Sequence, residues 1–511
     1  MVRKTTAVRM AHCQHCLVSV GLCVQFTHSL ISILLLHLLQ VAQTPSSAAA
    51  LPEALTAQIL QHVPQQHRLQ QCALACKAWA SAAALATAHV QQKLQAKGRA
   101  IPALESWLRK HAGHLESLQL SHSKTAVYKQ LDLQLPWAQL AKLQCLQLEG
   151  FKVMLPGEDD SSGSNPSSGL VASNGSTTGE GTHTLAPLLL PSLQHLQLSK
   201  VQLVSTSSLL QLAGAPGLTS LKTKDISFAQ SRKISNHAAA VQQLAAAMPK
   251  LLQQLPRLAV LELPGMPISD AAMQQLGCMQ GLQEVSLAHA DYIPPCGLQH
   301  LPNSITQLQF HGNLYGMGPG PALPLQLQQL TGLLQLTLEY CMVQPAVLGS
   351  FTRLQELQLL TCRLPSLQDD EEAFANVDTE GTAALLDALS KMTCVQDLYL
   401  SLQGLDTVST APQRFAALTA STQLKRLALK PDDKMPIPQG AAQYMFPAGR
   451  QLPFLEVLTI SPTVDWREDL GTEEEWCLEG TDIRNIVSCC TGLQELDIGH
   501  IVRPGGHAVL Q

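Results

Sequence analysis

Aromatic side chains are scarce in this chain: Phe, Trp and Tyr together make up 4% of it. Apolar packing must therefore come from aliphatic residues, and Leu and Ala supply it. Charge is thin as well. Charged residues are 14%, with 33 Lys and Arg against 38 Asp and Glu and a formal net charge of -5. There is no basic footprint that would neutralise phosphates, so nucleic acid is excluded as a partner. Catalytic signatures are missing too. The chain holds no G-x-x-x-x-G-K-[ST] loop, no H-E-x-x-H, no G-x-S-x-G and no EF-hand loop. No Cys and His spacing pairs a nucleophile with a base, so the chain reads as non-enzymatic.

The 14 cysteines are scattered, and several stand where the surrounding pattern calls for an apolar residue. That suits buried free thiols in a reducing compartment better than a disulfide framework. Cys13 and Cys16, with His12 alongside, have the spacing of half a metal site. No second ligand pair is evident, so no metal or other cofactor is assigned.

What is present is a short apolar motif that returns along most of the chain. It reads Leu115-Leu118-Leu120, Leu143-Leu146-Leu148, Leu193-Leu196-Leu198, Leu258-Leu261-Leu263, Leu282-Val285-Leu287 and Ile305-Leu308-Phe310. It continues as Leu333-Leu336-Leu338, Leu354-Leu357-Leu359, Val395-Leu398-Leu400, Leu424-Leu427-Leu429, Leu455-Leu458-Ile460 and Leu493-Leu496-Ile498. Leu218-Thr219-Ser220-Leu221 is a degenerate copy. The spacing L-x-x-L-x-L resembles the strand signature of leucine-rich repeats. One such unit cannot bury its apolar face alone, whereas stacked units can. A single compact core rarely extends to 511 residues, and an array removes that difficulty. The expected fold is an α/β leucine-rich-repeat solenoid, a horseshoe, over residues 91–511. Runs such as Ala238 to Met248 and Thr382 to Ser390 supply helices in the return connections.

Side chains alternate along a strand, so positions one, four and six point inward and position five points to the open, concave face. The candidate partner-binding residues on that face are Gln119, Gln147, Gln197, Glu262, Gln309, Thr337, Gln358 and Tyr399, with Ser286, Ala428, Thr459 and Asp497 in the same register. This row is polar and nearly neutral, which fits a protein partner.

Three insertions interrupt the repeats. Residues 156–184 are rich in Ser and Gly, carry Glu158-Asp159-Asp160, and read as a disordered loop. Asp369-Asp370-Glu371-Glu372 marks the second, and Trp466, Glu473-Glu474-Glu475 and Trp476 mark the third. No polar cap follows the final motif, so the last repeat is expected to fray.

The N-terminal 50 residues are different. Arg3, Lys4 and Arg9 precede an uncharged stretch whose apolar centre, residues 17–42, has the length of a membrane span. The flanks resemble a signal anchor. His28, His37, Gln25 and Gln40 interrupt it, which suits a leader or a tail instead. The membrane therefore stays open as an alternative to a cytoplasmic setting. The Asn174-Gly175-Ser176 sequon would be used only if the repeats were secreted.

Between leader and repeats, residues 51–90 carry a helical period: Leu51, Leu55, Ile59 and Val63, with Pro64 as a stop. Leu69, Cys72, Cys76 and Trp79 continue it. The run Leu51-Pro52-Glu53-Ala54-Leu55, then Ile59-Leu60, Val63-Pro64 and Cys76-Lys77-Ala78-Trp79 resembles an F-box, a small three-helix module. Val63 and Ala75 depart from the family's usual Leu and Val, and the basic residues common after the Trp are absent. The resemblance implies a substrate receptor of an SCF-type cullin-RING ubiquitin ligase. Leu51, Pro52, Leu55, Ile59, Leu60 and Trp79 would then meet a Skp-type adaptor, which joins the chain to a cullin, while the repeats hold a protein substrate. Two rival readings are a cytoskeletal or axonemal repeat scaffold without ubiquitin function, and a membrane-anchored repeat receptor. The helices at 51–90 would then be an end cap, which solenoids need.

Overall fold

The structure is a computed structural model. It describes residues 87–94, 100–122, 131–154, 190–203, 211, 215–228, 234–266, 268–288, 297–312, 325–364, 379–403, 410–429, 440–460 and 480–498. The apolar stretch at 17–42, the residues that carry the F-box resemblance with their six implied adaptor contacts, Asn174, the acidic insertions and Trp466 and Trp476 lie outside the described residues.

Fourteen strands form one parallel sheet. In chain order they are β1 (His89–Leu94), β2 (Ser117–His122), β4 (Cys145–Glu149), β6 (His195–Ser199), β8 (Ser220–Lys224), β10 (Val260–Leu263) and β11 (Glu284–Ala288). They continue as β12 (Gln307–His311), β13 (Gln335–Glu339), β14 (Glu356–Arg363), β15 (Asp397–Gln403), β16 (Arg426–Leu429), β17 (Val457–Ile460) and β18 (Glu495–Asp497). The order in the sheet is the order in the chain, so each repeat pairs with its sequence neighbours. This is an α/β solenoid of the leucine-rich-repeat type.

The physical cause lies at positions one, four and six. Leu118, Leu146, Leu261, Leu336 and Leu357 at position four are at most 1% exposed. They form one apolar rail of register partners within the sheet. Among the copies that leucines announce, the pattern loosens at the last: Leu493 is partly buried and Leu496 is 36% exposed. Hydrogen bonding repeats as faithfully. At each junction the position-two carbonyl accepts from two successive N–H groups of the next repeat, as Glu116 O does from Gln144 (2.7 Å) and Cys145 (3.0 Å). A tight turn precedes most strands, for example Leu143 N–H to Leu140 O at 3.1 Å. One such turn needs glycine: a Cβ on Gly492 would collide with the Pro453 carbonyl oxygen.

The residue at position eight leaves the strand in left-handed geometry, at Gly150 (φ 84°), Lys200 (52°), Asp225 (53°), Tyr340 (53°) and Thr361 (50°). This is costly for non-glycine residues, above all β-branched Thr361. The bend is held because the ladder continues through it: Lys200 N–H donates to Lys224 O at 2.7 Å and Tyr340 N–H to Leu360 O at 3.0 Å. After the bend, position nine points inward, as buried Phe151, Val201, Met266, Cys341 and Cys362 do.

Return segments stack behind the sheet. The helices are α1 (Ala100–His111), α2 (Ile234–Gln253), α3 (Asp270–Gly277), α4 (Pro345–Leu348), α5 (Thr379–Leu389), α6 (Ala441–Met445) and α7 (Gly480–Cys489), with 3-10 turns such as Pro412–Thr419 between them. They touch in order: α2 on α3, α4 on α5, α5 on the 412–419 turn, that turn on α6, and α6 on α7. Ser269 caps α3, its hydroxyl accepting from Ala272 N–H at 3.3 Å and donating to Ala245 O of α2 at 3.2 Å. Among the described residues, no helix is long and apolar enough to cross a membrane.

Two features differ from the sequence pattern. A second parallel sheet of four strands follows the bends of the early repeats: β3 (Leu131–Gln134), β5 (Phe151–Met154), β7 (Gln202–Leu203) and β9 (Ser227–Phe228). Its β3 edge lies against α1, where Glu105 Oε1 accepts from Gln134 N–H at 2.8 Å. The main sheet also begins one repeat earlier than the leucines announce. β1 starts at His89, two residues inside the range read as helical, with buried Thr87 in the place of the first leucine.

Candidate functional site

The solvent-facing side of the main sheet is the candidate site. Register pairing places the fifth-position residues in one continuous row. Gln119 pairs with Gln147, and Gln147 with Gln197. Glu262 pairs with Ser286, Ser286 with Gln309, Gln309 with Thr337, Thr337 with Gln358, and Gln358 with Tyr399. All eight candidate residues therefore share one line. Gln197 and Gln309 are exposed, and the others are half-buried. Ser286 is closed over: it is 8% exposed and its hydroxyl donates to Gln309 Oε1 at 3.2 Å.

Two members of the row have no counterpart among the sequence candidates. Gln91 on β1 pairs with Gln119. Lys222 on β8 pairs with both Gln197 and Glu262, and its ammonium sits 2.5 Å from Glu262 Oε1. The Lys222 copy is obscured because Thr223 stands where a leucine belongs. Thr223 is 2% exposed, and its hydroxyl is satisfied by the Glu262 carbonyl at 3.1 Å, so a polar residue fits an apolar place.

The expectation of a nearly neutral face describes the fifth-position row alone. Positions three and seven share that face and carry most of its charge. On β1 to β10 these rows and the fifth supply Lys93, Lys222 and Lys224 against Glu149 and Glu262, and both carboxylates meet a lysine (Lys200 to Glu149 is 3.3 Å). On β11 to β18 the described residues of the same rows supply Glu284, Glu339, Glu356, Asp397, Glu495 and Asp497 against Arg426. Here Glu339 contacts His311, Arg426 Nε lies 3.6 Å from Asp397, and Gln358 Nε2 donates to Glu356 at 2.6 Å.

Three buried thiols are poorly suited to chemistry. Burial pushes the Cys362 thiol up to about 11 and that of Cys490 to about 12, and raises Cys341 further still. They stay protonated near neutrality, and a protonated thiol is a weak nucleophile. Among the described residues, no group of three His, Cys, Asp or Glu side chains is placed to hold a metal ion. On the strand-entry rim, Gln144, Ser192, Gln194, Thr219 and Arg257 line an open groove of about 390 Å³.

No protein-family model matches the chain, and no curated protein matches it. Solved structures do. One is a leucine-rich-repeat protein of Leptospira interrogans, with 16% identity, a TM-score of 0.42, and coverage of 80% of this chain and 82% of that one. Another is an internalin of Listeria monocytogenes, at 13% identity and a TM-score of 0.36, covering 68% and 81%. A third is the leucine-rich-repeat ectodomain of a membrane receptor kinase from Arabidopsis thaliana, at 18% identity and a TM-score of 0.37, covering 73% of this chain and 34% of that one. Likenesses of this size decide nothing about function, and the fold stated above rests on the strand ladder and its buried leucines.

Proposed function

We propose that the chain is a non-catalytic protein-recognition solenoid whose sheet face holds a protein partner. The observation that carries this is the unbroken row of solvent-facing side chains from Gln91 to Asp497, each the register partner of the next. Such a face is broad and held by a continuous hydrogen-bonded ladder, so it offers a pre-ordered surface at low entropic cost. Its neutral amides and hydroxyls make short-range hydrogen bonds to polypeptide rather than long-range attraction to polyanions. Thr337 lies near the middle of the whole row. Thr337→Arg should abolish capture of the natural partner without unfolding the sheet. Retention of that partner by the variant would overturn the reading.

The finer reading is a substrate receptor of an SCF-type ubiquitin ligase, with the repeats holding the substrate. It is supported by the F-box resemblance of residues 51–90 and by their place directly before a repeat array. Leu51, Pro52, Leu55, Ile59, Leu60 and Trp79 would contact the Skp-type adaptor. Intact chain should capture adaptor and cullin, and the Leu51→Ala, Pro52→Ala double variant should not. A folded intact chain that captures neither leaves the repeats as an interaction scaffold and the 51–90 segment as an end cap.

A further inference from the structure

The charge on the sheet face is divided. Among the described residues, the N-terminal half carries a slight cationic excess, and the C-terminal half carries six carboxylates and one guanidinium. Within the acidic half, Glu356 and Asp397 are direct register partners on β14 and β15. Like charges directly opposite one another destabilise a sheet. The cation present relieves this only in part. Arg426 Nε lies 3.6 Å from Asp397 Oδ1, and that oxygen is shut off from solvent and accepts no hydrogen bond. That oxygen is closed to a partner, and Asp397, whose side chain is 38% exposed, can meet one only through Oδ2. Tyr399 lies two residues beyond Asp397 on the same face of β15 and is half-buried. Next to it the floor drops, because Ala428, Val457 and Thr459 are small and half-buried on β16 and β17.

We infer that this part of the face docks an extended, cationic segment of the protein partner, with one lysine or arginine side chain seated between Glu356 and Asp397. The inference rests on the protein-recognition reading above. Three features converge on a cation. Two carboxylates on neighbouring strands, whose spacing is about 4.8 Å, can both accept from one ammonium or guanidinium. The Tyr399 ring offers a face for the aliphatic stem or for the charge itself. The remaining acidic residues, Glu284, Glu339, Glu495 and Asp497, spread the attraction along the row and steer approach. A flat backbone fits over Ala428 and Thr459, where no long side chain rises.

The test uses the full chain and a fluorescent peptide of alternating lysine and alanine as probe, read by anisotropy. Binding is expected at low ionic strength and should weaken as salt rises. Glu356→Gln and Asp397→Asn should each weaken it by about tenfold, the worth of one charge-assisted hydrogen bond. Removing the mutual repulsion should leave the thermal midpoint of either variant at or above that of the parent chain, so lost binding would not reflect lost folding. The Asp132→Asn variant, on β3 of the second sheet in the N-terminal half, should bind as the parent does. The inference is overturned if the parent chain does not bind the probe, or if the N-terminal variant loses as much as Glu356→Gln. It is also overturned if the natural partner is lost by Thr337→Arg but held unchanged by Glu356→Gln and Asp397→Asn, which leaves the broader reading standing. Failure of Thr337→Arg to affect the natural partner removes that broader reading instead.

Discussion

The thiol of Cys362 donates to the backbone carbonyl of Leu338, 3.3 Å away on the preceding strand, and so ties two repeats together inside the core. Cys341 lies nearer a carbonyl of its own strand, Glu339 O at 3.1 Å, and is 3.7 Å from Phe310 O of the preceding one. Both stand at position nine, just after the left-handed bend, and point inward. A thiol suits the place because it is small, apolar enough for burial, and still a weak donor. Cys362→Ala should therefore cost roughly 1–2 kcal/mol, from the lost contact and the small void it leaves. Thermal unfolding would show it as a lowered midpoint; an unchanged midpoint would mean that the sulfur is idle there.

Thiol reactivity should follow burial. Cys278 is exposed, whereas Cys341, Cys362 and Cys490 are buried and held protonated. Brief alkylation of the folded chain near neutral pH, followed by peptide mass mapping, should label Cys278 and leave those three unmodified. The three should become reactive in denaturant. Early labelling of Cys362 would contradict the packing described for position nine.

His122 ends β2 at 7% exposure, with its ring 6.2 Å from that of Phe151, and neither ring nitrogen has a hydrogen-bond partner among the described residues. Buried polar atoms left this way cost about 1–3 kcal/mol. His122→Leu keeps the volume and removes the unsatisfied groups, so it should raise the unfolding midpoint. A lowered midpoint would show that the imidazole makes a contact of real value.

The two ends of the leucine rail should respond unequally. Leu357→Ala, at a fully buried position four, should cost roughly 2–5 kcal/mol. Leu496→Ala, at the open end, should cost under about 1 kcal/mol because much of the side chain already faces solvent. In an array, stability is a sum of neighbouring terms, so amide exchange should speed up over β13 to β15 in the first variant. Equal effects would mean that β18 is covered.

Much of this architecture was legible because two-residue alternation is a strong signal: the leucines that define β2, β4, β6 and β10 to β17 are all buried as the pattern requires. β8 was obscured by Thr223, a polar residue made acceptable by one hydrogen bond to a neighbouring carbonyl. β1 offered Thr87 and Gln92 where leucines would announce a strand. The second sheet could not be read at all. Its strands β7 and β9 are two residues long, too short for any periodicity, and they exist because the left-handed bends stack. The candidate face was half legible. Fifth positions follow directly from the motif, but the charge sits at positions three and seven, where no leucine fixes the register on sight.

The most direct test of the account is site-specific photocrosslinking of the full chain with its natural partner. A photoreactive residue would be placed at Thr337 on the sheet face or at Gln274 on the exposed side of α3. Crosslinks from position 337 and none from position 274 are the predicted result. Crosslinks from position 274 alone would place the partner on the return layer and contradict the account.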